Sequence, residues 1–414
     1  MPLKILHVVQ NYYPSFGGTQ ILFQKISEKL AKDYNDDVTV ITTDSYFGPD
    51  KPYSKIIETK YEVLNAVKIY RYPFFKFHKP IFNFLEKLLI KLRLKPIDLF
   101  RKLIRGPWSI GLNKHLFNTD ADVICASSSQ YLFMLYPLNR KASKPFVFMG
   151  AVHFSEDENE VCVSVNILNA INKSKFYIAN TQFEKDRLIK LGIQASKIKV
   201  VGCGVDIKEY ENPKSSKLEN LIGKKNKKYV GYVGRHEPSK GIMPLIKAAE
   251  ILWDKAEDFQ LIIAGSKTAY TVVLENYIKS LPQSFQNKIT LITNFSQDLK
   301  VEIFNSIDIF VSVSTAESFG IVYLEAWACK KPVIGANIGA VNSVISNEKD
   351  GFIVNVDDEL ELSNKILLLL SNEDLASKMG IEGYNKVTTN YTWDIISAKY
   401  RTIYLEAIKI HSNV

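Results

Sequence analysis

Cysteine is scarce in this sequence. Its four copies, Cys125, Cys162, Cys203 and Cys329, stand far apart and form no C-x-x-C pair, which argues against a zinc ribbon or a redox dithiol. Isolated thiols of this kind are expected to be buried and to belong to a reducing compartment. Histidine is almost as rare, with six copies and no H-E-x-x-H spacing, so a zinc hydrolase of that type is not expected. No apolar run reaches the roughly 18 residues that cross a bilayer. The opening residues lack the basic, apolar and small-residue segments of a secretory signal, so a cytoplasmic protein is expected. No G-x-G-x-x-G follows the first predicted strand, and the dinucleotide fingerprint is missing with it. No short repeat period is visible.

What is present is apolar material enough for two cores. The chain has 414 residues, 46% of them hydrophobic, and single cores seldom grow beyond roughly 250–300 residues. The net charge of +9 is concentrated: between Lys68 and Arg105 eleven Lys and Arg face two acids, Glu86 and Asp98, and 11 − 2 = 9. Within this stretch Leu85, Leu88, Leu89 and Leu92 share one helical stripe, with Lys87, Lys91 and Lys95 along another. The pattern fits a helix lying on an anionic membrane surface, and equally a helix packed on its own domain behind a solvated lysine face. No nucleic-acid module accompanies the charge, and nucleic acid is not expected as a partner.

The order of elements is that of an α/β protein. A strand at 4–10, the loop YYPSFGGTQ, a helix at 19–32 and a strand at 38–42 make a β-α-β start. Gly17 and Gly18, between strand and helix, let backbone approach a ligand or simply make a turn. Further strands are predicted at 121–126, 145–149, 177–180 and 197–201, with a capping box, Thr181 to Glu184, opening a helix that stops at Gly192. Asp120 and Asp122 have a D-x-D spacing, although Asp122 also simply precedes a strand. His153 follows a strand's carboxyl end, where α/β ligand crevices form, or is a loop residue at the surface. The lysine-rich 212–228 has the polarity of a linker. Strands at 229–233, 261–264, 289–293 and 307–313, alternating with helices, then predict a second parallel sheet.

Two turns in the second half carry chemistry. After the strand at 229–233, Arg235 and Lys240 stand five apart near a helix start; two fixed cations beside free amides suit a diphosphate, though loop cations are usually solvated. After the strand at 307–313 comes TAESFGIVYLEAWAC, with Glu317 and Glu325 eight apart around Gly320. The helix expected here leaves its first N–H groups unpaired at the positive end of its dipole, an anion pocket. Gly320 has no Cβ to keep a phosphate or sugar away. Glu325, among Val322, Leu324, Ala326 and Trp327, needs hydroxyl or cationic partners. Ser314 and Glu317 also fit an S-x-x-E capping box, and Glu325 the bland reading of a half-exposed helix residue.

Taken together, YVGRHEPSKG at 232–241, ESFGIVYLEA at 317–326 and PVIGANIGAVNSVI at 332–345 resemble glycosyltransferase family four, with support from NTQFEKDRLIKLGI at 180–193 and GCGVD at 202–206. That resemblance implies the GT-B architecture: two Rossmann-like domains, 1–205 on the acceptor side and 206–390 for the nucleotide sugar, facing across a cleft, with 391–414 a helix crossing back to the first. It implies retaining, metal-independent transfer from a nucleotide-diphosphate sugar, with no cofactor, to a glycan or lipid-linked glycan. Arg235 and Lys240 would hold the diphosphate, and Glu317 the sugar hydroxyls. The amides of Ser318, Phe319, Gly320 and Ile321 would meet sugar and phosphate, and Glu325 the ribose. Gly17 and Gly18 would line the diphosphate, and His153 would face the sugar. The same architecture admits a non-catalytic partner that binds nucleotide sugar without turnover. Departures from the family pattern are Lys330 and Asn294 where glycines are usual, Cys203 for Asn, and Ala340, Asn342 and Ser343 for Gly, Pro and Glu.

Overall fold

The computed structural model describes residues 1–15, 17–46, 55–73, 84–85, 88–89, 91–92, 109–127, 144–150, 154, 165–211, 218, 222 and 227–413. His153, Cys162, most of the basic stretch and most of the lysine-rich 212–228 lie outside the described residues. The chain forms two compact units, one from Met1–Phe154, Asn159–Val201 and Ile396–Val414, the other chiefly from Gly202–Ile395.

The first unit is built on eight strands: β1 Lys4–Val9, β2 Asp37–Thr43, β3 Tyr61–Leu64, β4 Val67–Tyr72, β5 Val123–Ser127, β6 Phe146–Met149, β7 Phe176–Ala179 and β8 Ile198–Val200. Their order is β3-β4-β2-β1-β5-β6-β7-β8, all parallel except β3, which pairs antiparallel with β4 at the edge. Strands β1, β5, β6 and β7 are buried almost throughout, as parallel strands covered on both faces must be. Asp120 and Asp122 are committed to the sheet margin: Asp122 accepts the Lys4 N–H at 2.8 Å and Asp120 pairs with the Lys4 ammonium at 2.5 Å. Thr181 caps the helix Gln182–Lys190 as expected, while the Glu184 carboxylate accepts the Asn180 N–H at 2.7 Å and the Tyr177 hydroxyl at 2.5 Å.

The helix Trp393–Ser412 joins this unit from Ile396 onward. Tyr400, Tyr404 and Ala407 are buried there. Beneath them His7, wholly buried, bonds through Nδ1 to the Ser27 hydroxyl at 2.7 Å and through Nε2 to the Tyr404 hydroxyl at 3.0 Å. Arg401 clamps Asp36 at 2.9 and 3.0 Å, and Lys199 meets Glu406 at 2.8 Å.

The second unit carries six parallel strands, β9 Lys228–Val233, β10 Phe259–Gly265, β11 Ile289–Thr293, β12 Ile309–Ser312, β13 Val333–Ala336 and β14 Gly351–Val354, in the order β11-β10-β9-β12-β13-β14. From β9 the chain winds outward through β10 and β11, and from β12 it winds the other way. The reversal point lies between β9 and β12, and at such a point the loops leaving the carboxyl ends diverge and open a ligand crevice.

Phe304, Phe310 of β12 and Tyr323 pack in series at 5.4 and 5.9 Å, tilted and then edge-on, each such side chain contributing roughly 1.5–3 kcal/mol by burial. The helix Glu373–Asn390 crosses the helix Ile321–Ala328 at a notch. A Cβ on Gly383 would fall 1.9 Å from the Trp327 ring, and one on Gly380 2.0 Å from the Lys330 carbonyl. Trp327 is fully buried there and donates through Nε1 to the Asp350 carbonyl at 2.8 Å. Lys330 and Asn294, two of the three residues standing where the family pattern has glycine, both take positive φ, at 55° and 52°. The backbone keeps the glycine conformation although the glycine is gone.

Candidate functional site

Two loops meet at the reversal point. The loop after β9 closes as a 3₁₀ turn, Pro238–Lys240, and leads to the helix Ile242–Asp254; the loop after β12 leads to the helix Ile321–Ala328. They are stitched through backbone, the Thr315 N–H donating to the Ser239 carbonyl at 2.9 Å. Gly241 and Gly320 each take left-handed φ, 69° and 87°, which L side chains rarely adopt. A Cβ on Gly241 would also strike the Val313 carbonyl at 2.2 Å, so the loops approach this closely only with glycine there.

The result is a paired cation and carboxylate over the sheet. Lys240 Nζ lies 2.5 Å from Glu317 Oε1, with the side chains 18% and 16% exposed, and the Ser314 hydroxyl donates to the same Oε1 at 3.2 Å. The capping-box reading of Ser314 and Glu317 is therefore corrected. The helix starts beyond them, at Ile321, behind Gly320, and no side chain caps it. Its first amides are left facing the carboxyl edge of the sheet, where a helix N-terminus favours an anion.

Glu325 sits within that helix and is 7% exposed, which corrects the half-exposed reading. Both kinds of partner expected for it are found: Tyr210 donates its hydroxyl at 2.9 Å and Lys300 its ammonium at 2.5 Å, each to Oε1. Burial first, and Glu325 second, hold the Tyr210 hydroxyl well above its ordinary pKa, so it stays a donor. Oε2 is buried and has no partner among the described residues. Sequence reasoning did not find Tyr210 or Lys300, which stand 115 and 25 positions from Glu325. No local spacing links them.

Arg235 is not bonded to this pair. Its guanidinium is 55% exposed and meets Glu237 at 2.9 Å. Such an exposed pair is worth at most about 1 kcal/mol, so Arg235 is easily drawn to another anion. The buried Tyr232 hydroxyl, which donates to the Arg235 carbonyl at 2.9 Å, feels both groups: burial raises its pKa most, then Glu317 and Glu237, with Arg235 opposing.

In the first unit Gly17 and Gly18 follow β1, which with β5 flanks that sheet's own reversal point. Gly17 is extended and Gly18 opens the helix Gly18–Tyr34, so neither is demanded by a left-handed turn. Among the described residues no group of three His, Cys, Asp or Glu side chains is arranged to hold a metal. His153 lies outside those residues.

Residues 16–209 match the model of Glycosyltransferase Family 4, and residues 214–386 that of Glycosyl transferases group 1. The chain is 29% identical over 243 residues to the capsular polysaccharide biosynthesis glycosyltransferase CapM of Staphylococcus aureus, covering 56% of this chain and 62% of CapM. It is 22% identical to the N-acetyl-alpha-D-glucosaminyl L-malate synthase of Bacillus anthracis, over 97% of both. Among solved structures, HepE of Anabaena in complex with UDP superposes with a TM-score of 0.70 at 21% identity, over 97% of this chain and 99% of HepE.

Proposed function

The chain belongs to glycosyltransferase family four and has the GT-B fold, and from that premise we propose that it moves a sugar from a nucleoside diphosphate sugar to a hydroxyl acceptor with retention at the anomeric carbon. The observation that carries this reading is the Lys240–Glu317 pair beside an uncapped helix tip at the reversal point of the second sheet.

Breaking the glycosyl–phosphate bond leaves the electron pair on the diphosphate and positive charge on the anomeric carbon. Fixed donors aimed at the diphosphate stabilise that charge without reorganising. Lys240 and the amides from Ser318 to Ile321 supply them, with Arg235 swinging in from Glu237, and no metal is required for this role. Lys240 holds Glu317 in place to accept sugar hydroxyls. Glu325, fixed through Oε1 by Tyr210 and Lys300, accepts a ribose hydroxyl. The acceptor oxygen bonds to the anomeric carbon on the face the diphosphate leaves, and its proton passes to a diphosphate oxygen.

A thermal-shift screen across nucleoside diphosphate sugars, followed by NMR of the product anomer, tests this reading. No stabilisation by any donor, or an inverted anomer, overturns it. Glu325→Gln keeps the size of the side chain but loses its charge, and hydrogen bonds to charged groups are worth about 1.5–3 kcal/mol. The variant is expected to bind the donor roughly tenfold or more weakly; unchanged affinity in titration calorimetry removes Glu325 from the donor site.

CapM's part in capsular polysaccharide synthesis supports a glycan or lipid-linked acceptor. No described helix is long and apolar enough to cross a membrane. Phe84, Leu88 and Leu92, spaced by four within the basic stretch, are exposed, as a helix lying on a bilayer would have them. The protein is expected to sediment with anionic liposomes at low salt and to be released at high salt. Indifference to them points to a soluble acceptor.

A further inference from the structure

The second unit contains an open groove of about 820 Å³ that shares no lining residue with the Lys240–Glu317 site. It opens where β13 and β14 end, against the last turns of the helix Glu373–Asn390. We propose that it is a second binding site, for a neutral oligosaccharide.

Its chemistry is that of side-chain amides. Asn342 donates to Asn337 Oδ1 at 2.8 Å, and Asn337 donates to Asn355 Oδ1 at 3.1 Å. The three amides thus run head to tail, and the relay ends in an NH₂ group on Asn355 and a carbonyl on Asn342. A sugar hydroxyl is both donor and acceptor, so a row of hydroxyls satisfies both ends at once. Asn347 accepts the Ile353 N–H at 2.9 Å through its carbonyl, which directs its own NH₂ group away from that bond.

The charges select against an anion. Lys386 donates to the Val344 carbonyl at 2.8 Å and the Ser346 hydroxyl at 2.9 Å, and its charge is paired with the Asp350 carboxylate. Glu361, the other charged side chain in the lining, is tied to the Asn355 N–H at 2.8 Å and adds negative charge. A phosphate or uronate would meet a carboxylate and no uncommitted ammonium, whereas a neutral polyol meets amides. Tyr391 supplies an aromatic wall for sugar C–H groups, held edge-on to Phe319 at 5.6 Å. The volume is in the range of small-molecule sites.

The proposal does not depend on the transfer reaction. The test is saturation-transfer NMR and titration calorimetry of the full chain with neutral hexaoses of glucose, mannose, galactose and N-acetylglucosamine, with inorganic phosphate as competitor. At least one hexaose is expected to bind with a Kd of about 1 mM or tighter. The double variant Asn342→Leu, Asn355→Leu is expected to weaken that binding at least tenfold and to leave the thermal shift by nucleoside diphosphate sugars unchanged. Asn347→Leu alone is expected to weaken it severalfold. No binding by any hexaose, equal binding by the variants, or displacement by phosphate overturns the assignment. Loss of the nucleotide response in the unaltered chain would instead strike at the transferase reading.

Discussion

Lys240→Ala is expected to lower kcat by about 10²–10³, the loss seen when one preorganised donor to a developing negative charge is removed. In energy this is about 3–4 kcal/mol. Two effects add. On the proposed reading the departing diphosphate loses a fixed cation, and Glu317, only 16% exposed, loses the ammonium 2.5 Å away. An unbalanced carboxylate then stands close to the phosphates and repels them. Lys240→Arg keeps the charge but not the point geometry, and should fall between the two. The measurement is steady-state turnover at saturating donor, with the melting temperature as a control for folding. Near-normal turnover in a folded Lys240→Ala protein removes Lys240 from the reaction.

The second large effect concerns stability in acid. Burial pushes the His7 imidazole down to about 3 from an ordinary 6.5, with the Ser27 and Tyr404 hydroxyls, the Phe23 ring and, behind Tyr404, the Cys125 thiol as its surroundings. No carboxylate bonds to it among these neighbours. The folded state therefore keeps His7 neutral across a range in which the unfolded chain protonates it. Below pH 6.5 the unfolded state binds the extra proton, and stability is lost as the pH falls towards 3. The slope is about 1.4 kcal/mol per pH unit, so the loss is on the order of 3 kcal/mol by pH 4. Hydrogen exchange of the β1 amides, compared at matched pH between the native chain and His7→Gln, isolates this contribution because acid effects from other groups are common to both. The variant should show a flatter dependence between pH 6.5 and 4; parallel curves would place the acid sensitivity elsewhere.

The parts of the fold legible in the sequence are those whose cause is local. Buried runs such as those of β1, β6 and β9 declare themselves because both faces are covered and most positions are apolar. β3 escaped notice because it is an edge strand whose residues alternate between exposed and half-buried. The helix Glu373–Asn390 escaped for a different reason: its buried positions include Gly380 and Gly383, so the face it packs with carries little apolar signal. At the site, the spacing of Glu317 and Glu325 and the glycine between them were readable. The partners that fix each carboxylate were not, since Lys240 arrives from 77 positions away and Tyr210 from 115. The first bond exists only after the sheet has brought β9 beside β12, the second only after the helix Ile207–Glu211 has packed on the helix Ile321–Ala328.

The notch at Gly380 and Gly383 bears on how this chain can change. Side-chain-to-backbone contact that close leaves the segment bearing Glu325 no slack to slide or tilt, and nearly any replacement of Gly383 collides with an indole. Selection for a new donor therefore has little purchase on that segment. It has more on the turn that follows it, where Lys330 holds a positive φ without being glycine.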